Sequence, residues 1–405
     1  MSRSPTRVMR SVASLSFADT SRSYPARHAS TLTKQNKLPA SYYRGGTSRA
    51  ILFKQQDLPI DRSAWPPIFR GAIGSPDPNG RQLDGLGGGL SSLSKVCVVG
   101  PSSHADADVD YTFAALGIKN DDVDFSSNCG NMTSAIGPFA IDSGLVEPPA
   151  GGDGEAMVRI HNTNTGKIIH AKFPVVEGEA AAYGDFAIDG VSGTAAKIEL
   201  AFINPAGANT GKLLPTGNVV DSFDSVDATC IDAGNPCVFI QASDMGVDGT
   251  ILPDDIDVHS TLLARLDSIR RQASVAMGIS KDLESTPGSI PKIAIVSPPT
   301  SHKLLSGDTI HGETVDLVIR ALSVGQPHRA LPITVAMAVA AAANLEGSTA
   351  YRSVGRERVD GDGITLGHPS GKILVGASFD GEGSLTNATV FRTARRLMEG
   401  IVYWK

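Results

Sequence analysis

The chain has 405 residues, 41% of them hydrophobic and 19% charged, with a formal net charge of −6. That length sustains two or three domains with proper cores, and the composition excludes general disorder. No apolar run approaches the ~18 residues that a membrane-crossing helix needs; the longest candidate, 330–345, is interrupted by Pro332 and is alanine-rich.

The first 37 residues stand apart, with Arg3, Arg7, Arg10, Arg22, Arg27, Lys34 and Lys37 against one acid, Asp19, among many serines and threonines. An Arg-rich, Ser-rich, acid-poor segment has the composition of a mitochondrial transit peptide. A matrix protein is therefore expected, with a disordered basic tail on a cytoplasmic protein as the alternative. Seven bases and one acid give +6, which leaves −12 for the remainder of a chain at −6. A body that acidic has no electrostatic footprint for nucleic acid.

Residues 41–53 read as strand, Gly-rich turn and strand. The glycine-rich stretch 84–94 fits neither nucleotide template, since it lacks GxxxxGK[ST] and no apolar strand precedes its glycines. It feeds a short apolar strand, 95–100, with Lys95 at its mouth. There a partly desolvated amine has a lowered pKa and becomes a usable base, although a snorkelling lysine fits the same position. His104, Asp106, Asp108 and Asp110 alternate as on one strand face. In-line positions ~7 Å apart do not converge on an ion, so a solvated face is expected. Neither HExxH nor GxSxG occurs.

Residues 134–144 put Ile136, Phe139 and Ala140 on one helical face and stop at Gly144. Cys129 would then stand at the helix N-terminus, where unpaired N–H groups favour a thiolate; a small core hydrophobe is the alternative. The cysteines at 97, 129, 230 and 237 show no CxxC spacing, and reduced thiols are expected. Further strands are predicted at 158–161, 197–203, 237–241 and 292–297. A core helix is predicted at 258–278, its stripe formed by Leu262, Leu263, Leu266, Ile269, Ala273 and Met277. A second small-residue helix follows at 332–347, entered through 323–334. The halves are loosely alike, and two helix N-termini fed by polar loops suit an anionic ligand. The element mix is α+β or mixed α/β.

YRGGTSRA (43–50), DGLGGGLSSLSKV (84–96), DVDY (108–111), SNCGN (127–131), LLPTGN (213–218), GQPHRALPIT (325–334) and GHPSG (367–371) occur in this order. Together they resemble the 2-methylaconitate cis-trans isomerase family, PrpF, which also takes in methylitaconate isomerases, oxalomesaconate tautomerases and fungal aconitate isomerases. The resemblance covers about residues 39–405. It implies an α+β, diaminopimelate epimerase-like fold: two pseudo-symmetric domains, each a sheet wrapped around a central helix, with the active site in the cleft between them. The corresponding boundaries are 1–37 for the presequence or tail, 38–196 and 197–405, with the last segment free to return to the first domain.

The family's catalytic lysine falls on Lys95 and its active-site cysteine on Cys129. Arg44, Thr47, Ser48, Asn131, His328, Thr334, His368 and Ser370 are implied near the substrate. Asn235 resembles a substrate-contacting asparagine of the wider epimerase fold. One departure is Val335, where relatives usually carry glycine. The epimerases need a cysteine from each domain, and 325–334 contains none, which disfavours a two-thiol racemase. One amine and one thiol suit proton removal beside a double bond and return of the proton to give a cis-trans or positional isomer. Arg44 is a candidate carboxylate clamp, and Cys129 either donates a proton or orients the substrate. The expected ligand is a small unsaturated di- or tricarboxylate, with no organic cofactor, metal, nucleic acid or membrane; a homodimer is compatible. The alternatives are an oxo-acid tautomerase and a non-catalytic accessory protein of an aconitase-like dehydratase.

Overall fold

The structure, a computed structural model, describes residues 34–125, 128–323 and 325–405. The presequence expectation therefore falls almost entirely outside the described residues. Antiparallel and parallel pairings join the main strands into one unbranched path. It runs from Ala394–Trp404 through Asn36–Gly45, Ser48–Lys54, Lys95–Pro101, Val109–Leu116, Gly154–Asn162 and Lys167–Val176 to Ile198–Ile203. From there it passes to Leu385–Arg392, Gly371–Phe379, Ile364–His368, Leu317–Ser323, Lys292–Ser297, Pro236–Gln241 and Val226–Asp232.

The two halves repeat one pairing pattern. Each opens with an antiparallel hairpin, then pairs its strands parallel, antiparallel, parallel, antiparallel and antiparallel. An outer helix follows the second strand of each half, Trp65–Ile73 in one and Leu262–Ala276 in the other. A central helix follows the fourth, Gly130–Asp142 and Ile333–Ala342. Strand alternation explains the layering, because successive residues face opposite sides. Cys97 and Val99 face the central helix while Val96 and Val98 pack on the outer one; in the second half Ala294 and Val296 face inward and Ile293 and Ile295 outward.

Both central helices are buried on every side, from Met132 to Ile141 and from Val335 to Ala342. The one-faced pattern expected around Ile136 understates this. Small residues explain why the wrapping strands come so close: a Cβ on Gly137 would stand 2.6 Å from the Phe173 ring. The second central helix is alanine over much of its length.

The chain crosses between the halves twice. Ile198–Ile203 pairs with Lys167–Val176 on one side and Leu385–Arg392 on the other. After Thr393 the strand Ala394–Trp404 returns to pair along Asn36–Gly45. Segment 104–110 corrects the sequence reading: His104–Asp106 is a turn, and the strand begins only at Val109. Among the described residues no helix is long and apolar enough to cross a membrane.

Candidate active site

The central helices meet at their N-termini. Gly130, the first residue of one, lies so close to Ile333, the first of the other, that an added Cβ would stand 2.8 Å from Ile333 Cδ1. Cys129 is the N-cap of the first helix, extended and half-buried, with no side-chain cap bond of its own. Its carbonyl accepts the Thr133 N–H at 2.9 Å. The first amides of both helices therefore point toward a shared space, the arrangement that stabilises anionic groups. A cleft of about 1030 Å³ opens there.

Thr47, Cys129, Asn131, Asn235, Thr334 and His368 line this cleft. The Gly45-Gly46 turn is pressed against the first helix. A Cβ on Gly46, whose φ is +49°, would stand 2.3 Å from Asn131 Oδ1, and Asn131 Nδ2 donates to Thr47 Oγ1 at 3.1 Å. Asn235 donates to the Pro236 carbonyl at 3.0 Å. His368 is buried, and its Nδ1 accepts the Ser370 N–H at 3.2 Å. Burial, with Arg320, Arg392 and His302 nearby, lowers its pKa to about 3. The ring is therefore neutral, and its remaining nitrogen is an N–H donor.

Arg44, Ser48, Lys95, His328 and Ser370 are not among the lining residues. Arg44 Nη1 donates to the carbonyls of Gly46 and Thr393, at 3.0 and 2.9 Å, and to Thr393 Oγ1 at 3.0 Å, tying the glycine turn to the second crossover. Ser48 is buried at the start of its strand. Ser370 donates to the Arg329 carbonyl. The His328 N–H donates to the Ala321 carbonyl at 2.8 Å, and burial with the Lys292 charge lowers its ring pKa. Lys95 opens its strand half-buried, its Nζ 5.2 Å from the centre of the Phe113 ring. It shares a strand face with Cys97, which touches the Tyr111 hydroxyl at 3.8 Å and whose thiol burial pushes well up. Lys95 thus faces the central helix beside the cleft rather than inside it.

Several lining residues carry no sequence expectation. Lys167, Lys292, Lys372 and Arg392 make the wall cationic, against Asp189 and Asp360. Lys292 opens the third strand of the second half, the position Lys95 holds in the first. The parallel wording KVCVVG and KIAIVS was a signal of that equivalence. Residues Phe186–Asp189 strap across the cleft: Gly190 lies beside the Thr47 methyl, and the Asp189 carboxylate accepts the Lys372 N–H.

The family described as PrpF protein matches residues 35–405. The chain belongs to the PrpF family. It is 40% identical over 386 residues to the 2-methyl-aconitate isomerase of Shewanella oneidensis, covering 91% of this chain and 97% of that protein. It is 41% identical over 382 residues to the 3-methylitaconate isomerase of Eubacterium barkeri, covering 92% and 98%. The crystal structure of a methylitaconate-delta-isomerase superimposes with a TM-score of 0.85 at 39% identity, over 92% of this chain and 96% of that one. The α+β fold of the PrpF family, with one sheet-wrapped helix per half, is thus the fold of this chain.

Proposed function

We propose that this PrpF-family protein isomerises small unsaturated di- or tricarboxylates of the 2-methylaconitate or aconitate type by removing and returning a proton. The observation that carries the reading is the head-to-head meeting of two central helices, one capped by Cys129, in a cationic cleft. A base takes a proton from the carbon next to the double bond, and the electron pair delocalises through the alkene into a carboxylate. The helix amides stabilise the charge that develops. The allylic anion loses its double-bond geometry, and the proton returns to give the isomer. Lys95 is the proposed proton carrier, with Cys129 as second acid or substrate-orienting group.

A second reading of the base rests on position: Lys292 occupies the equivalent strand start and lines the cleft itself. Turnover of 2-methylaconitate and of aconitate, followed by NMR in D₂O, tests both readings. Deuterium is expected at the allylic carbon, with activity retained in EDTA. Lys95→Ala is expected to lower kcat by at least ~10² with the fold intact. A normal rate in Lys95→Ala with a collapsed rate in Lys292→Ala would transfer the role. Activity lost in EDTA and restored by iron or zinc would overturn the mechanism.

The composition of residues 1–37 supports mitochondrial import. Mass spectrometry of the protein from its native cell is expected to find that segment removed. An intact, acetylated N-terminus in a cytosolic fraction would refute import.

A further inference from the structure

Arg392 ends the strand Leu385–Arg392 where the chain leaves the second half. Its side chain lines the cleft, yet the residue is only 9% exposed. Among the described residues its side chain forms one hydrogen bond, from Nη1 to the Phe391 carbonyl at 2.9 Å, and no carboxylate pairs with it. The other buried arginines of this half are satisfied differently: Arg320 donates to three backbone carbonyls at 2.7, 2.9 and 3.0 Å, and Arg270 donates to Asp267 at 3.0 and 2.8 Å and to the Pro287 carbonyl at 2.7 Å.

A guanidinium so largely withdrawn from water, with one protein hydrogen bond among the described residues, carries a cost in lost hydration. A fold tolerates that where something outside the chain supplies the missing charge. Arg392 borders a cleft whose lining also includes the first residues of both central helices, Gly130 and Ile333. His368 stands near enough to Arg392 for the guanidinium charge to act on its ring, and it is a neutral N–H donor. A planar guanidinium beside a neutral imidazole matches a carboxylate, which accepts two parallel N–H bonds from the fork and a third from the ring.

We propose that Arg392, assisted by His368, receives a second carboxylate of the ligand, so that the cleft selects polycarboxylates: one carboxylate at the helix N-termini, another on Arg392. The assignment rests on the functional reading above and adds to it a residue that sets substrate class. It also explains the role left open by Arg44, whose Nη1 is committed to backbone and to Thr393.

The test uses tricarballylate, the saturated tricarboxylate, which has no double bond to isomerise. Calorimetry on the full protein is expected to show binding that Arg392→Gln weakens on the order of 10²-fold. Arg392→Lys keeps the charge without the fork and is expected to fall between. Thermal melting without ligand is expected to leave Arg392→Gln as stable as the parent or more so, because a buried unpaired charge is gone. Should Arg392→Gln not fold, the Arg392→Lys affinity decides. Tricarballylate binding that is absent from the parent, or that is unchanged in the folded variant, overturns the proposal. Tricarballylate binding that depends on Arg392, with no turnover of 2-methylaconitate or aconitate, sustains the carboxylate site and removes the isomerase reading instead.

Discussion

His368 is the residue whose titration the fold alters most usefully for experiment. An imidazole ordinarily protonates near 6.5, but here burial and the neighbouring cations bring it to about 3. Between those values the unfolded chain binds a proton that the folded chain refuses, so acidification favours unfolding; above pH 6.5 the group contributes nothing. Urea denaturation at pH 7, 6 and 5 is expected to show stability falling with a slope of up to about 1.4 kcal/mol per pH unit from this group. His302 and His328 are shifted in the same direction by burial and add to the trend. His368→Gln is expected to flatten the curve, and an unchanged slope would show that His368 titrates normally. At this scale the sequence was partly legible. Motif residues at helix starts and turns (Thr47, Cys129, Asn131, Thr334) were readable because local chain geometry puts them at the cleft. Arg392 was not, since a charge ending an apolar strand reads as solvent-facing until the crossover turns it inward. Arg44 stands outside the cleft lining for the complementary reason: nothing local reveals that Thr393, 349 positions later, takes its Nη1 donor.

At the scale of elements, the contact between the two central helices admits a sharp test. Gly130→Ala puts a methyl 2.8 Å from Ile333 Cδ1, a separation that real Cβ atoms essentially never show. Cδ1 is the free end of a flexible side chain, so Ile333 gives way before the helix start does. The expected outcome is a lowered kcat/KM, by less than the ~10²-fold that a misplacement of about 1 Å costs, while the midpoint of thermal unfolding falls only slightly. Gly144→Ala, at the other end of the helix with open space around it, provides the control for strain alone, at φ +70°. The strand at Lys292–Ser297 and both central helices were readable from apolar runs and glycine stops. Burial of the central helices on all sides was not, because small residues such as Ala338 and Ala340 suit a solvated surface as well as a tight enclosure. The turn at His104–Asp106 was misread as strand because alternation of polar and small residues is also what a turn can carry.

The whole molecule is two similar halves, yet two strand crossings stitch them together, and one apolar core includes residues of both central helices. Neither half retains a complete sheet without the other's chain. Urea unfolding of residues 36–405 is therefore expected to be a single transition despite the length. Trp65 and Trp404 both belong to the first half, Trp404 pairing with Asn36. Tryptophan fluorescence thus reports that half alone, while far-ultraviolet circular dichroism reports both. Coincident curves are expected; separated midpoints would show that the halves unfold independently.

The pairing of Asn36 with Trp404 also means that the described sheet begins and ends at the same place. The backbone is, in effect, a nearly closed loop. Bridging residues 405 and 36 with a short linker would add little closure entropy, since the ends already stand side by side. New termini could then be cut at an exposed turn such as Gly217-Asn218, between the last strand of the first half, Ile198–Ile203, and the first of the second, Val226–Asp232. Such a permuted chain would keep every strand neighbour while reversing which half is synthesised first. The order in which a ribosome delivers the two halves would become an experimental variable.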